Sequence, residues 1–227
     1  MINLFKECPI PEKELLSNLN LFIRRQPLTR VIFLYELYKK ILGIHGNILE
    51  FGVRWGQDMA IFECFRGMLE PFNYTRKIIG FDTFKGFPNV SDHDADAKVG
   101  DMGVSEGYRY YLGKVLAEQE KESPITQITK HELVKGDVVE TMPEYLFRHP
   151  ETIISLAYFD FDIYEPTKVC LDLCKDRFSK GSIIAFDEAN NMNWPGETIA
   201  IQEILGIRNI KLERFPWCPT MSYMVVE

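Results

Sequence analysis

Apolar and polar positions along this chain follow two rhythms. In TRVIFLYELYKKILGI the apolar residues at 31, 34, 37, 38, 41 and 42 recur three and four apart, which puts one face of a helix against a core. Thr29 is placed to cap that helix, and Gly43 and Gly46 to stop it. Pro9, Pro11 and Pro27 punctuate the preceding stretch, so residues 1–45 are expected to form a helical N-terminal cap, followed by one domain over 46–227. There the rhythm changes to short apolar runs, NILEFGV (47–53), KIIGFDTF (77–84), ELVKGDV (132–138), TIISLAYFDFDIY (152–164) and SIIAFDE (182–188), separated by helical stretches such as QDMAIFECFRGML and EPTKVCLDLCKDRFS, the latter stopped by Gly181. Strands joined by helical crossovers predict a mostly parallel sheet covered on both faces. After the helix TIAIQEILG, NIKLERFPW and TMSYMVVE read as strands turning at Cys218-Pro219, an antiparallel hairpin at the sheet edge. Residues 86–112, rich in Gly, Asp and Ser, show no period and interrupt the alternation, as a lid does.

Composition narrows the class. The chain has 227 residues, 46% hydrophobic and 26% charged, with 33 acidic against 26 basic side chains, a formal charge of −7. These are globular values, with no apolar run long enough to span a bilayer and charged, proline-bearing residues where a signal peptide needs an apolar stretch. A soluble cytoplasmic protein is expected. An acidic excess with few clustered basic residues offers no grip to nucleic acid or an anionic membrane. Cys8, Cys64, Cys170, Cys174 and Cys218 lack metal or disulfide spacing, and Cys170 and Cys174, four apart on one helix, are expected as buried small apolar residues.

The candidate chemistry is acidic. In an open α/β sheet, ligands bind beyond the carboxyl ends of the strands. The proposed strands deliver Asp82, Asp137, Asp160, Asp162, Asp187 and Glu188 at or near those ends. The first strand turns through Glu50-Phe51-Gly52-Val53-Arg54-Trp55-Gly56, whose glycines allow a close backbone approach and a tight helix start. This is neither GxGxxG nor a P-loop, which disfavours a pyrophosphate cradle and favours S-adenosylmethionine (SAM). Asp82 is placed to accept the hydroxyls of a ribose, a group SAM and NAD share. In FDFDIY, Asp160 and Asp162 share one side of a strand end, and like charges in so apolar a run are costly unless a cation or ligand compensates them. With Asp187 and Glu188 they form an all-oxygen donor set suited to a hard ion, Mg²⁺, Mn²⁺ or Ca²⁺. The alternative is a set of carboxylates bonded only to backbone at strand termini.

Five segments in order, GNILEFGVRWGQ, DTFKGFP, KGDVVETMP, DFDIYEPT and FDEANNMNWPG, resemble motifs of the TylF-type macrocin O-methyltransferases, over roughly residues 46–205. The resemblance implies a Rossmann-like class I SAM methyltransferase fold, with SAM and Mg²⁺ as cofactors. The implied substrate is a small molecule bearing a sugar, a nucleotide-deoxysugar or a glycosylated natural product, methylated on a hydroxyl. Carried over position by position, Glu50, Gly52, Gly56 and Asp82 would hold SAM, with Asp137 near the adenine. Asp160, Asp187 and Glu188 would hold Mg²⁺, and Asp162 would be the general base. Glu188 stands where the family has a second aspartate, Ala189 replaces the aromatic after it, and Arg54-Trp55 reverses the family's usual order. Asn190-Asn191 keeps a catechol-type Mg²⁺-dependent methyltransferase open, and a non-catalytic SAM- or sugar-binding module is a further alternative. An iron oxygenase is disfavoured because no histidine follows His149-Pro150-Glu151. His93, Trp194, Tyr108, Tyr110 and Tyr111 have no assigned role, and the oligomeric state, a homo-oligomer included, is left open.

Overall fold

The computed structural model describes residues 1–227. Six strands form one sheet in the order β3-β2-β1-β4-β5-β6. They are β1 (Asn47–Phe51), β2 (Ile78–Asp82), β3 (His131–Lys135), β4 (Ile154–Phe159), β5 (Phe178–Phe186) and β6 (Ser222–Val225). The first five run parallel and β6 is antiparallel to β5, with Ile184 opposite Met224 and Ala185 opposite Tyr223. Successive residues of a strand face opposite sides, so each strand splits its apolar residues between two layers. Ile48, Ile78, Leu156 and Ile183 pack under α3 (Arg25–Lys40), α4 (Gln57–Leu69) and α5 (Tyr108–Glu120). Leu49, Ile79, Ala157 and Ile184 pack under α6 (Val138–Arg148), α7 (Tyr164–Cys174) and α8 (Pro195–Ile204). This is the mostly parallel, doubly covered sheet that the alternation of periods predicts.

The first 45 residues are helical. The short helices α1 (Ile2–Lys6) and α2 (Glu12–Leu15) bury no residue, whereas α3 buries Phe33, Leu34, Leu37 and Tyr38 in the core shared with the sheet. No helix is long and apolar enough to cross a membrane.

Four local expectations are corrected. Thr29 does not cap α3, which begins at Arg25; Pro27 falls in the first turn, where a missing N–H costs nothing, and Thr29 Oγ1 donates back to the Arg25 carbonyl at 2.9 Å. Gly181 does not stop a helix: α7 ends at Cys174, and Gly181 lies inside β5 with φ +88°, where a Cβ would meet Ile44 at 2.7 Å. Residues 209–217 form no strand of their own and meet β6 only through a bridge between Glu213 and Tyr223, so the antiparallel edge is the β5–β6 pair rather than a full hairpin. Pro216 within the run removes a donor a ladder would need. The aperiodic segment ends at Gly107, because Tyr108, Tyr110 and Tyr111 belong to the first turn of α5. Cys170 and Cys174 are buried free thiols of α7, as expected.

Candidate active site

The strand order reverses between β1 and β4, and a cleft opens beyond the carboxyl ends at that point, where α/β sheets bind ligands. Its wall includes Arg30, Glu50, Gly52, Asp58, Asp82, Asp137, Asp160, Asp162, Asp187 and Glu188. One cavity thus gathers every acid the sequence singles out. Gly56 does not line it; its left-handed φ of +74° starts α4, and a Cβ there would meet Leu112 at 2.5 Å. Gly52 is required by the chain itself, since at φ +96° its Cβ would fall 2.0 Å from the Asp160 carbonyl oxygen. Glycine here lets the β1 turn pass beneath the end of β4.

The cleft has two unlike halves. On the β1–β2–β3 side, Asp82 accepts N–H bonds from Arg54 at 2.7 Å and from Phe84, which fixes its carboxylate plane. Burial raises its pKa, and those backbone donors oppose the rise. Asp137 caps α6 by accepting from Val139 N at 3.0 Å. Glu50 is 2% exposed and its Oε2 has no partner. Burial, then the charges of Asp58 and Asp160, push its pKa well above the carboxylate range. A buried unpaired acceptor at a cavity wall is where a ligand donor belongs.

On the β4–β5 side the carboxylates surround a guanidinium. Arg30, on α3, donates through Nε to both Asp58 oxygens at 2.8 and 3.1 Å and through Nη1 to Asp187 at 2.9 Å. Its Nη2 is paired with Asp58 at 2.7 Å and with Asp160. Tyr158 lies beneath the guanidinium, 5.5 Å from ring centroid to Cζ, and its hydroxyl donates to Asp187 at 2.6 Å. Asp162 follows in the left-handed region at φ +64°, where a side chain other than glycine is strained. Its pKa rises to about 7, first through burial and then through Asp187 and Glu188, with Arg30 and Arg54 opposing. Burial likewise raises Asp160, reinforced by Asp187, and raises Glu188, whose carboxylate is engaged by the Asn191 side-chain amide. Behind them Glu197, fully buried, accepts from the Glu188 backbone N–H at 3.0 Å.

This geometry is a class I methyltransferase arrangement, and comparison with known proteins gives the family. The model of the TylF family, macrocin-O-methyltransferase, matches residues 30–213. The chain belongs to the TylF family. It is a SAM-dependent O-methyltransferase. The crystal structure of CalS11, a calicheamicin methyltransferase, superposes with a TM-score of 0.96 at 43% identity, covering 99% of this chain and 89% of that one. An apo structure of CalS11, described as a TDP-rhamnose 3'-O-methyltransferase of calicheamicin biosynthesis, gives 0.89 at 41% identity, with 99% and 90% covered. The O-methyltransferase NovP shares the fold, with a TM-score of 0.64 at 18% identity, covering 87% of this chain and 79% of that one. No curated protein sequence matches the chain.

The family match begins at Arg30, well before the segments in which the resemblance is legible. Arg30, Asp58, Tyr158 and Glu197 escaped the sequence reading. A signal for two of them exists: Arg30 stands three and four residues before Phe33 and Leu34, and Asp58 lies beside Met59 and four before Phe62, so both place a charge on a buried helical face. Trp194 lines the cleft and meets the Phe87 ring edge-on at 6.1 Å, while His93 is exposed and packs on the Tyr164 ring at 4.5 Å. A second charged cluster, Glu63, Glu120 and His131, lies at the opposite end of the strands. Arg66 and Lys130 already pair with Glu120 there at 3.1 and 2.6 Å, so its cations are supplied by the chain.

Proposed function

We propose that this TylF-family enzyme methylates a hydroxyl of a nucleotide-linked deoxysugar in a Mg²⁺-dependent reaction with Asp162 as general base. One observation carries the base assignment. Asp162 faces the cleft, is held by no hydrogen bond of its side chain, and titrates at about 7, so it accepts a proton near neutral pH at little cost. The acceptor class is supported by CalS11, with which the chain is collinear over 99% of its length.

The residues fit both cofactors. For SAM, the orphaned Glu50 Oε2 awaits a donor, and the fixed Asp82 carboxylate keeps lone pairs free for ribose hydroxyls. For Mg²⁺, the donor set of Asp160, Asp187 and Glu188 is all carboxylate oxygen, which a hard divalent ion prefers. Arg30 is the one cation bonded to these acids and does not balance them, as the raised pKa values of Asp160, Asp162 and Glu188 record. Arg30 takes one oxygen each of Asp160 and Asp187 and leaves the other free.

When bound, SAM supplies a methyl group on a sulfonium and Mg²⁺ supplies charge that favours an ionised hydroxyl. Asp162 takes the hydroxyl proton on a carboxylate oxygen as the substrate oxygen attacks the methyl carbon and the carbon–sulfur bond breaks. Glu50 and Asp82 orient the cofactor from the β1–β2 side, while Arg30 keeps Asp160 and Asp187 from drifting apart. Phe87, Pro88 and Trp194 wall the cleft and exclude water.

The test is methyl transfer from SAM to TDP-rhamnose with Mg²⁺ or with EDTA, read as a mass gain of one methylene. Transfer that requires the metal is expected. Methylation of a catechol with none of any nucleotide sugar would refute the acceptor class, and undiminished turnover in EDTA would refute the metal.

A further inference from the structure

Residues 83–107 fold over the cleft, contributing Gly86, Phe87, Pro88 and Met102 to its wall opposite Asp162 and Ile163. The loop has its own internal frame, with Phe87 N–H donating to the Asp101 carbonyl and Gly100 N–H to the Phe87 carbonyl, both at 2.9 Å. Between Lys85 and Val104, one hydrogen bond leaves the loop for the rest of the protein: Tyr164 N–H donates to Asp94 Oδ1 at 2.6 Å. Asp94 Oδ2 meanwhile accepts from Ser91 N–H at 2.6 Å and Ser91 Oγ at 2.7 Å. Although it sits in an acidic surface stretch, Asp94 is only 1% exposed.

The location of that bond gives it meaning. Tyr164 opens α7, two residues after Asp162 with its strained φ of +64°. A helix N-terminus offers unpaired N–H groups and a partial positive charge, both suited to a carboxylate. No side chain of α7's own N-cap fills that role. On the far side stands Gly196 of α8, where a Cβ would fall 2.3 Å from Asp94 Oδ1 and 2.6 Å from Tyr164 N. The carboxylate therefore occupies a slot sized for it between the starts of α7 and α8.

We infer that Asp94 is a positioning residue. It fastens the loop over the acceptor half of the cleft and braces the turn that carries Asp162, so that lid and base are set by one contact. Its effect on turnover rests on Asp162 acting as base; the fastening itself does not.

The experiment is done on the full chain with Asp94→Ala and, independently, Gly196→Ala, which wedges the same slot from the other side. Hydrogen exchange without ligand is expected to quicken about tenfold or more within 86–104 and at Tyr164 in both variants, with exchange in β1 and β2 unchanged. The SAM Kd and binding stoichiometry by calorimetry are expected to stay within about threefold, while kcat/KM for TDP-rhamnose falls about 100-fold, the cost of misplacing reacting groups by about 1 Å. Ser91→Ala, which removes one of the three bonds and is tolerated by any fold that tolerates Asp94 itself, should give a graded version of the same pattern. Unchanged exchange in the loop and at Tyr164 would overturn the fastening even if no acceptor were turned over by the wild type. Lost turnover matched by an equal loss of SAM-binding stoichiometry would reduce Asp94 to a general folding role and overturn the positioning.

Discussion

Arg30→Met tests whether the cation inside the acidic cluster is structural. The substitution keeps an unbranched side chain of similar reach but removes the guanidinium that bonds Asp58, Asp160 and Asp187. Asp58 is 3% and Asp187 9% exposed, so water cannot take over the lost contacts. Removing one partner of a buried ion cluster costs about 3–5 kcal/mol. For a chain of this size that lowers Tm by roughly 10 °C. The loss has a definite pH dependence. Burial raises the pKa of both Asp58 and Asp160, and Arg30 opposes both rises. Without Arg30 these carboxylates take up protons more readily, so the penalty is full at alkaline pH and shrinks as falling pH neutralises them. Urea unfolding of both proteins with EDTA at about pH 8 and about pH 5.5 should show the difference falling by half or more at the lower pH. Arg30→Lys, with charge but no fork, should recover part of the loss at the higher pH. An equal penalty at both pH values, or one below about 1 kcal/mol, would refute the electrostatic account of the node.

Four further outcomes follow from the same geometry. Asp162→Asn should retain SAM binding by calorimetry and lower kcat about 10²–10⁴-fold, the usual share of a general base; near-normal turnover would remove Asp162 from that role. Because the folded pKa of Asp162 is raised to about 7, its ionisation destabilises the fold as pH rises through that value. Wild type compared with Asp162→Asn in EDTA should therefore lose about 2 kcal/mol more between about pH 5.5 and pH 8, and Mg²⁺ should restore it at the higher pH. Asp82→Ala should weaken SAM about 10- to 100-fold in titration calorimetry, as loss of hydrogen bonds to a charged acceptor does, with the acceptor KM little changed. Gly52→Ala should cost at least about 3 kcal/mol in denaturant unfolding, since strain at φ +96° adds to a 2.0 Å clash with the Asp160 carbonyl.

The fold was legible where periodicity was strong and one-sided choices were few. Parallel strands buried on both faces read as continuous apolar runs, and β1, β2, β4 and β5 announced themselves so. The acids at their ends followed, because chain direction alone places Asp82, Asp160 and Asp187 on one edge. The start of α3 was not legible from a capping residue, as no side chain caps it, and Pro27 looked like a break although it lies in the first turn. The run 209–217 has the alternation of a strand, yet only Glu213 finds a partner. Arg30 and Asp58 were missed for a different reason. Each is an ordinary surface-type residue in a helical pattern, and only their mutual approach across 28 positions turns them into one buried node.

The two halves of the cleft are built to different standards of rigidity, and that divides their functions. Asp82 and Asp137 are held by backbone N–H groups of the turns they terminate, so the cofactor side is as fixed as the sheet. Across the cleft, Asp162 sits at a strained φ and the facing wall belongs to a loop joined to the body by one hydrogen bond between Lys85 and Val104. Local stability follows from such contacts, so opening of the loop costs far less than opening of β1 or β2. A cofactor common to the family needs one rigid seat, whereas an acceptor with several hydroxyls must enter, be oriented and leave. Acceptor selection in this chain therefore resides in the wall formed by Gly86, Phe87, Pro88, Met102 and Trp194, and the carboxylates behind it supply the chemistry irrespective of which sugar is admitted.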